Sequence, residues 1–208
     1  MFIALLAFLT VQMSEADVPP VCVTTPTACR AMAPFNLFVG DGEVTIGDES
    51  VQPWIVDGVL FLTPGEGVVL QMSPEGPTVR APVIAKSVLT DEWIAQALGT
   101  IDPSSSALQP RQGETLKLSG PAGGVRISFR QGTGVRDMFL VVENGGAAPI
   151  SYTAHMMVIG PEGLQWAPTS VCTALPEAPS AEHWPHPIIA VRLSDFRIEE
   201  KGAGIVCR

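Results

Sequence analysis

Three histidines, His155, His183 and His186, are the side chains with the widest chemical range in this sequence. A strand through His155 would place Met157 on the same face, because alternate residues of a strand share a face. Imidazole and thioether groups are suitable ligands for copper, so these four residues form a candidate copper or zinc site of a carrier or a metal-dependent hydrolase. The simpler interpretation is that His155 lies on a half-exposed strand, since a metal site needs three or four converging ligands.

The second candidate site is the segment 183–187 (HWPHP). Its two prolines exclude a helix and favour an extended path, in which His183 and His186 point the same way with backbones roughly 9 Å apart. We expect His183, Trp184 and His186, together with Trp166, to form the rim of a ligand or partner site, because stiff loops on β scaffolds often carry function. The alternative is that the prolines only stiffen a loop and that Trp184 closes the end of the fold.

Four cysteines are the third group of reactive side chains. In an exported chain an even number of cysteines indicates disulfides, and four cysteines allow three pairings. The spacing favours Cys22 with Cys29 and Cys172 with Cys207, and the sequence leaves the other two pairings open. Metal binding by these cysteines is the weaker interpretation, because there is no C-x-x-C pair and the spacings match no zinc ribbon.

Signatures of catalysis are missing from the sequence. It contains neither the G-x-S-x-G motif of a hydrolase nucleophile nor the H-E-x-x-H motif of a zinc protease. Adjacent acids occur at Asp48-Glu49, Asp91-Glu92 and Glu199-Glu200. Adjacent side chains diverge on a strand or a helix, so none of these is a ready acid/base pair. We therefore expect a protein that is not an enzyme and has no cofactor.

Strands joined by tight turns are predicted to position these residues. The sequences Gly-Asp-Gly at 40–42 and Asp-Gly at 57–58 each separate two apolar runs, which is the strongest short signal for a hairpin. Further turns are predicted at 64–67, 74–77, 144–146 and 161–163. A turn about every 10 to 15 residues is typical of an antiparallel sandwich or barrel.

The segment 125–130 (VRISFR) alternates without interruption. Its first, third and fifth residues are predicted to face the core, whereas Arg126, Ser128 and Arg130 face outward. The two arginines, with Lys117 on a neighbouring strand and Arg136 after the turn at 132–134, are predicted to belong to a solvated face. An anion-binding stripe is the alternative interpretation of the same row.

The next strand, turn and strand carry a resemblance to a known fold family. Residues 138–142 (MFLVV), 143–146 (ENGG) and 149–154 (PISYTA) form a strand, an Asn-Gly turn and a Pro-Ile-x-Tyr strand. This pattern of about 20 residues resembles segments of many bacterial immunoglobulin-like sandwiches, and it implies a fold without a site. We predict a mainly β protein, an antiparallel two-sheet β-sandwich of immunoglobulin-like kind with one short helix.

The predicted helix follows Thr90, whose hydroxyl can cap it, and ends at Gly99. Asp91 and Glu92 lie in its first turn, where the helix dipole favours acidic side chains. Residues 102–112 are rich in Pro, Ser and Gln, as is typical of a connector. We predict one domain over residues 17–208, with two halves over 17–101 and 113–208 as the alternative.

Charge and hydropathy limit the functional class. The 208 residues carry a net charge of −9 with a pI near 4.7, which argues against nucleic-acid binding. Residues 2–11 (FIALLAFLTV) form an apolar run of signal-peptide length, and Ser14 and Ala16 favour cleavage before Asp17, so 1–16 is predicted to be a signal peptide. Since no Lys or Arg precedes the run, an upstream start or an uncleaved anchor is the alternative.

These features predict a periplasmic or secreted β-sandwich that binds a protein or a small ligand. The sequence contains no transmembrane-length run after the signal segment. The competing hypothesis is the metal-dependent carrier or hydrolase built on the histidines.

Overall fold

The structure is a computed structural model, and it describes residues 19–100, 121–176 and 178–208, with the backbone alone for 96–100. The predicted signal peptide and its cleavage site, the connector 102–112 and Lys117 lie outside the described residues. The strands of the described ranges are β1 (Cys29–Met32), β2 (Phe35–Val39), β3 (Gly42–Ile46), β4 (Ser50–Pro53), β5 (Ile55–Val56), β6 (Val59–Leu62), β7 (Glu66–Ser73), β8 (Gly76–Ile84), β9 (Val125–Gln131), β10 (Met138–Asn144), β11 (Ile150–Gly160), β12 (Gly163–Thr169), β13 (Ser180–Trp184) and β14 (Ala190–Ile198).

Ten of these strands form two antiparallel five-stranded sheets that pack face to face. Sheet 1 has the spatial order β13-β10-β9-β7-β8, and sheet 2 has the order β12-β11-β14-β6-β5. One core cluster joins the inner faces, with Val68, Ile127 and Phe129 from sheet 1 against Leu62 and Leu193 from sheet 2. The prediction of a mainly β, two-sheet sandwich is confirmed. Each sheet contains strands from both sides of residues 101–120, so the two sequence halves share one core.

Tight turns form at most of the predicted positions, whereas β10 continues to Asn144 and a bend follows at 146–148. Asp57 and Gly58 join β5 to β6, and both have a positive φ, 51° and 77°. Two consecutive positive φ values are the requirement of a type I′ turn, which Asp-Gly satisfies best. The hairpin of β2 and β3 turns at Gly40 and Asp41, as its Gly-Asp-Gly sequence predicts, and lies in a separate two-stranded sheet.

Three short α-helices occur in the described ranges, α1 (Pro20–Thr24), α2 (Ala85–Val88) and α3 (Asp91–Thr100). The predicted helix is α3, and the hydroxyl of Thr90 accepts the Trp93 N–H at 3.1 Å as its cap. The sequence did not reveal α1 and α2, because four or five residues are too few to show a helical period. Leu89 and Trp93 pack on Phe139 of β10, so the segment of α2 and α3 covers the outer face of sheet 1.

Because of this helical cover, the prediction that the outward side chains of β9 are solvated is wrong. Ser128 and Arg130 point away from the core as expected, yet they are 0% and 5% exposed because the helical segment lies over them. Arg130 donates hydrogen bonds to the Leu89 carbonyl and to Asp91, and Arg126 forms a two-point ion pair with Glu143. Neither a solvated face nor an anion-binding stripe is therefore present at these two arginines.

The favoured disulfide pairing is confirmed. Cys22 is bonded to Cys29, and Cys172 is bonded to Cys207. The first bond closes the short α1 region, and the second holds residues 205–208 against the segment after β12 through the Cys172 and Cys207 bridge. Two disulfides suit an oxidising, extracytoplasmic environment. Within the described ranges, none of the helices combines the length and the apolar character needed to cross a membrane.

Candidate functional site

The outer face of sheet 2 presents a transverse row of chemically mixed side chains. Pro168 of β12, His155 of β11, Arg192 of β14 and Phe61 of β6 are successive cross-strand partners. Directly opposed residues of antiparallel strands point to the same face, so these four side chains lie side by side. All four are part of the surface that sheet 2 turns away from the core.

Two further rows on this face are apolar. The first lies two residues further along the strands and consists of the cross-strand partners Trp166, Met157 and Ala190. The second lies two residues beyond that and consists of the partners Leu164 and Ile159. Leu164 and Ile159 are each 60% exposed. The outer face of a sandwich sheet ordinarily carries polar side chains, so this apolar strip departs from the usual pattern.

The indole of Trp166 lies across the sheet instead of pointing into solvent. Its ring is 6.2 Å from the Phe61 ring in an edge-on contact, although Phe61 is three strands away. The Arg192 guanidinium lies over the same indole, 4.8 Å from its centroid. Trp166 therefore forms an aromatic platform with a cation stacked on it, an arrangement that the ring quadrupole stabilises.

A groove of about 380 Å³ opens beside this platform, and we call it the Trp166 groove. Sheet 2 supplies one wall and the β1/β4 pair supplies the other. Its lining is predominantly apolar and is formed by Met32, Pro53, Val56, Phe61, Met157, Trp166 and Ala190, with Arg30, Gln52, Leu62 and Thr63. This volume lies within the range of small-molecule sites, about 300 to 1,000 Å³.

Arg30 lies in the wall of the groove and contacts three groups. It pairs with Glu66 at 2.9 Å, donates to the Phe61 carbonyl at 2.8 Å and lies 4.5 Å from the Trp54 ring centroid. Burial lowers the pKa of Arg30, and the charge of Glu66 opposes this change. Arg30 thus joins β1 to β6 and positions Phe61.

Arg192 differs from Arg30 because no carboxylate within the described ranges forms an ion pair with it. Its neighbour His155 has a buried Nδ1 without a hydrogen-bond partner. Asp195 is an acid near His155, and hydrogen bonds from Thr153 and Ser194 hold the pKa of Asp195 below its ordinary value. Arg192 therefore places a positive charge beside the groove, on the Trp166 ring, without an ion pair among the described residues.

The predicted rim residues of the segment 183–187 do not share one surface, because successive residues of β13 point to opposite faces of sheet 1. His183 lies on the outer face of β13, 2.6 Å from Asp137, and its ring is tilted against Phe139 with 5.1 Å between ring centroids. Trp184 points inward, is buried and donates to the Thr169 hydroxyl at 2.9 Å. His186 is half-buried, and its Nδ1 lies 3.3 Å from the Pro187 carbonyl. Trp184 thus packs in the core on sheet 1, whereas Trp166 belongs to the other sheet.

The four predicted metal ligands do not converge. His155 and Met157 lie on the outer face of sheet 2, while His183 lies on the outer face of sheet 1, with the core between them. Across 19–100, 121–176 and 178–208, no group of three or more His, Cys, Asp or Glu side chains is placed to hold a metal ion.

Phe61 and Arg192 are the site residues that sequence reasoning missed. A signal existed for both, because each lies between two core residues in an alternating strand, Phe61 between Leu60 and Leu62 and Arg192 between Val191 and Leu193. An outward aromatic side chain becomes informative once it joins a contiguous exposed apolar patch, as Phe61 does with Trp166.

Comparisons of the chain with protein-family models, curated proteins and solved structures gave no match.

Proposed function

We propose that this protein is an exported, non-catalytic binding module that holds a small molecule with an apolar body and one anionic group in the Trp166 groove. The observation that carries the proposal is the combination of an apolar outer sheet face with an arginine that has no ion pair in the described ranges. The ligand class is a small molecule with an extended hydrocarbon or aromatic body and one carboxylate or similar anionic group.

The apolar part of the proposal depends on surface area. Trp166, Met157 and Phe61 line a groove that continues into the exposed Leu164 and Ile159 pair. Covering such a surface releases water and contributes about 25 cal/mol for each Å² removed from solvent. A linear apolar chain matches this shape, because the groove and the exposed pair follow one another along β12.

The anionic part depends on Arg192. Its guanidinium is oriented by stacking on Trp166 and retains its hydrogen-bond donors for a ligand. A protein of net charge −9 repels anions at long range, so an anion must be held by a local contact. A carboxylate over Arg192 would satisfy that contact while its apolar body enters the groove.

The proposal also includes a cellular location and a fold type. The N-terminal segment 1–16 supports export as a signal peptide, and the two disulfides suit a periplasmic or secreted protein. The immunoglobulin-like character of the sandwich stays a prediction from the segment 138–154. No observation favours the metal-dependent alternative, because His155 and Met157 lie on sheet 2, His183 lies on sheet 1 and His186 lies in the loop after β13.

Calorimetric titration with two probes of equal chain length tests the proposed function. We expect dodecanoate to bind more tightly than dodecyltrimethylammonium, both below their micelle concentrations, because only the first complements Arg192. Trp166→Ala should weaken dodecanoate binding at least tenfold, since it removes the platform. Arg192→Met keeps an unbranched stem and should abolish the preference for the anion.

Val44→Ala is the matched control, because Val44 is an exposed apolar residue, 43% exposed, on the separate β2/β3 hairpin. It should leave dodecanoate binding unchanged, and thermal melts should show that all variants are folded. Equal binding of the two probes, or a Trp166→Ala variant that binds dodecanoate like the parent protein, would contradict the proposed function.

A further inference from the structure

A second cavity of about 570 Å³ lies at the open edge of the sandwich, away from the Trp166 groove. It is bounded by β13, by the chain that follows β12 and by residues 205–207, which the Cys172–Cys207 disulfide holds in place. Thr169, Leu175, Trp184 and Ile205 are among its lining residues, so much of its wall is apolar. We call it the Glu182 cleft, after the one carboxylate among its described lining residues.

Glu182 is half-buried in this cleft and is weakly compensated by the protein. Its Oε1 accepts a hydrogen bond from the Cys172 backbone N–H at 2.9 Å. Within the described ranges no lysine, arginine or histidine forms an ion pair with Glu182. The carboxylate therefore has acceptor capacity left over, since an ionised carboxylate can accept about four hydrogen bonds.

The titratable neighbours do not supply the missing positive charge. On β11, the buried Tyr152 has a raised pKa, because of burial first and the charge of Glu182 second. On β13 itself, His183 points to the opposite face and is paired with Asp137. Burial raises the pKa of Glu182 to about 7, against the hydrogen bond from Cys172 that lowers it. An external cation would compensate the partly buried charge that has no ion pair among the described residues.

We infer that the Glu182 cleft binds a primary ammonium group carried on an apolar chain. The ammonium group would donate to the free oxygen of Glu182, while the chain contacts Trp184, Leu175 and Ile205. A primary ammonium has three donors and matches one carboxylate. The largely apolar wall suits a hydrocarbon chain better than a hydrated Ca²⁺ or Mg²⁺ ion, which prefers several oxygen ligands around it.

Titration with hexylammonium at pH 8.0 and 150 mM NaCl, followed through the Cys172 amide in ¹H–¹⁵N spectra, tests this inference. We expect saturable shifts with hexylammonium and none with hexanol at equal concentration. Glu182→Gln keeps an oxygen for the Cys172 N–H and should weaken binding at least tenfold. At pH 5.5 the parent protein should also bind at least tenfold more weakly, because Glu182 is then largely protonated.

The control is Glu162→Gln, which changes the net charge equally at an exposed position in the β11–β12 turn. It should bind hexylammonium like the parent protein. The inference is overturned if hexylammonium produces no saturable shift, if hexanol binds equally well, or if Glu162→Gln and Glu182→Gln weaken binding to the same extent. Because dodecanoate and hexylammonium address different cavities, failure of either proposal leaves the other intact.

Discussion

Replacement of Arg126 by methionine is expected to lower the free energy of unfolding by about 3 kcal/mol. The Glu143 side chain is 1% exposed, and both of its oxygens accept hydrogen bonds from Arg126, one of them at 2.6 Å. Removing the guanidinium would leave a carboxylate under the surface without this partner. Breaking a buried pair is costly for this reason, even where the intact pair adds little net stability.

Urea unfolding at pH 7 measures this effect, and a double variant separates its causes. Arg126→Met with Glu143→Leu removes both charges, so it should regain most of the stability that Arg126→Met loses. A single variant within about 0.5 kcal/mol of the parent protein would contradict the prediction. A double variant as unstable as the single one would show that packing of the arginine stem, and not the unpaired carboxylate, is responsible.

Glu182→Gln is expected to stabilise the protein by up to about 3 kcal/mol at pH 8. The pKa of Glu182 is raised from the ordinary 4.5 to about 7 in the folded state. Between these pH values the folded protein binds the proton that the unfolded chain has lost, so stability falls as pH rises from 4.5 to 7. Glutamine does not ionise and avoids this loss.

Unfolding curves of the two proteins at pH 4.5 and pH 8, without added amine, measure the difference. The variant and the parent should be similar in stability at pH 4.5, where Glu182 is protonated, and should diverge above pH 6. Glu162→Gln again serves as the control for net charge and should follow the parent protein at both pH values. A Glu182→Gln variant that is less stable than the parent at pH 8 would refute the prediction.

Much of the fold was predictable because its causes are local. Asp57-Gly58 turns a hairpin since this dipeptide tolerates two positive φ values, and Thr90 caps α3 since its hydroxyl reaches the Trp93 N–H. Uninterrupted alternation in β9 correctly divides inward from outward side chains. These features need no distant partner, so the order of residues is enough to indicate them.

The candidate site was predictable only in part. Trp166 was selected from the sequence and does line the groove, and His155 and Met157 do share a face. Arg192 and Phe61 are their neighbours only because of the strand order β12-β11-β14-β6. This order brings together residues as far apart as Phe61 and Trp166, which are separated by more than 100 positions. A period of two residues shows that a strand has two faces, but it does not show which strand lies beside it.

By itself the sequence determined most of the turns, the alternation and the helix cap, because each depends on residues close along the chain, and its cysteine spacing favoured one disulfide pairing without excluding the other two. Only the tertiary structure decided that Arg130 is buried, since a helical segment covers the outer face of sheet 1. It also decided that Trp184 packs in the core while Trp166 forms a platform on the outer face. Both tryptophans lie on edge strands, and the direction of each follows from the sheet that its strand joins and from the face that the sheet buries.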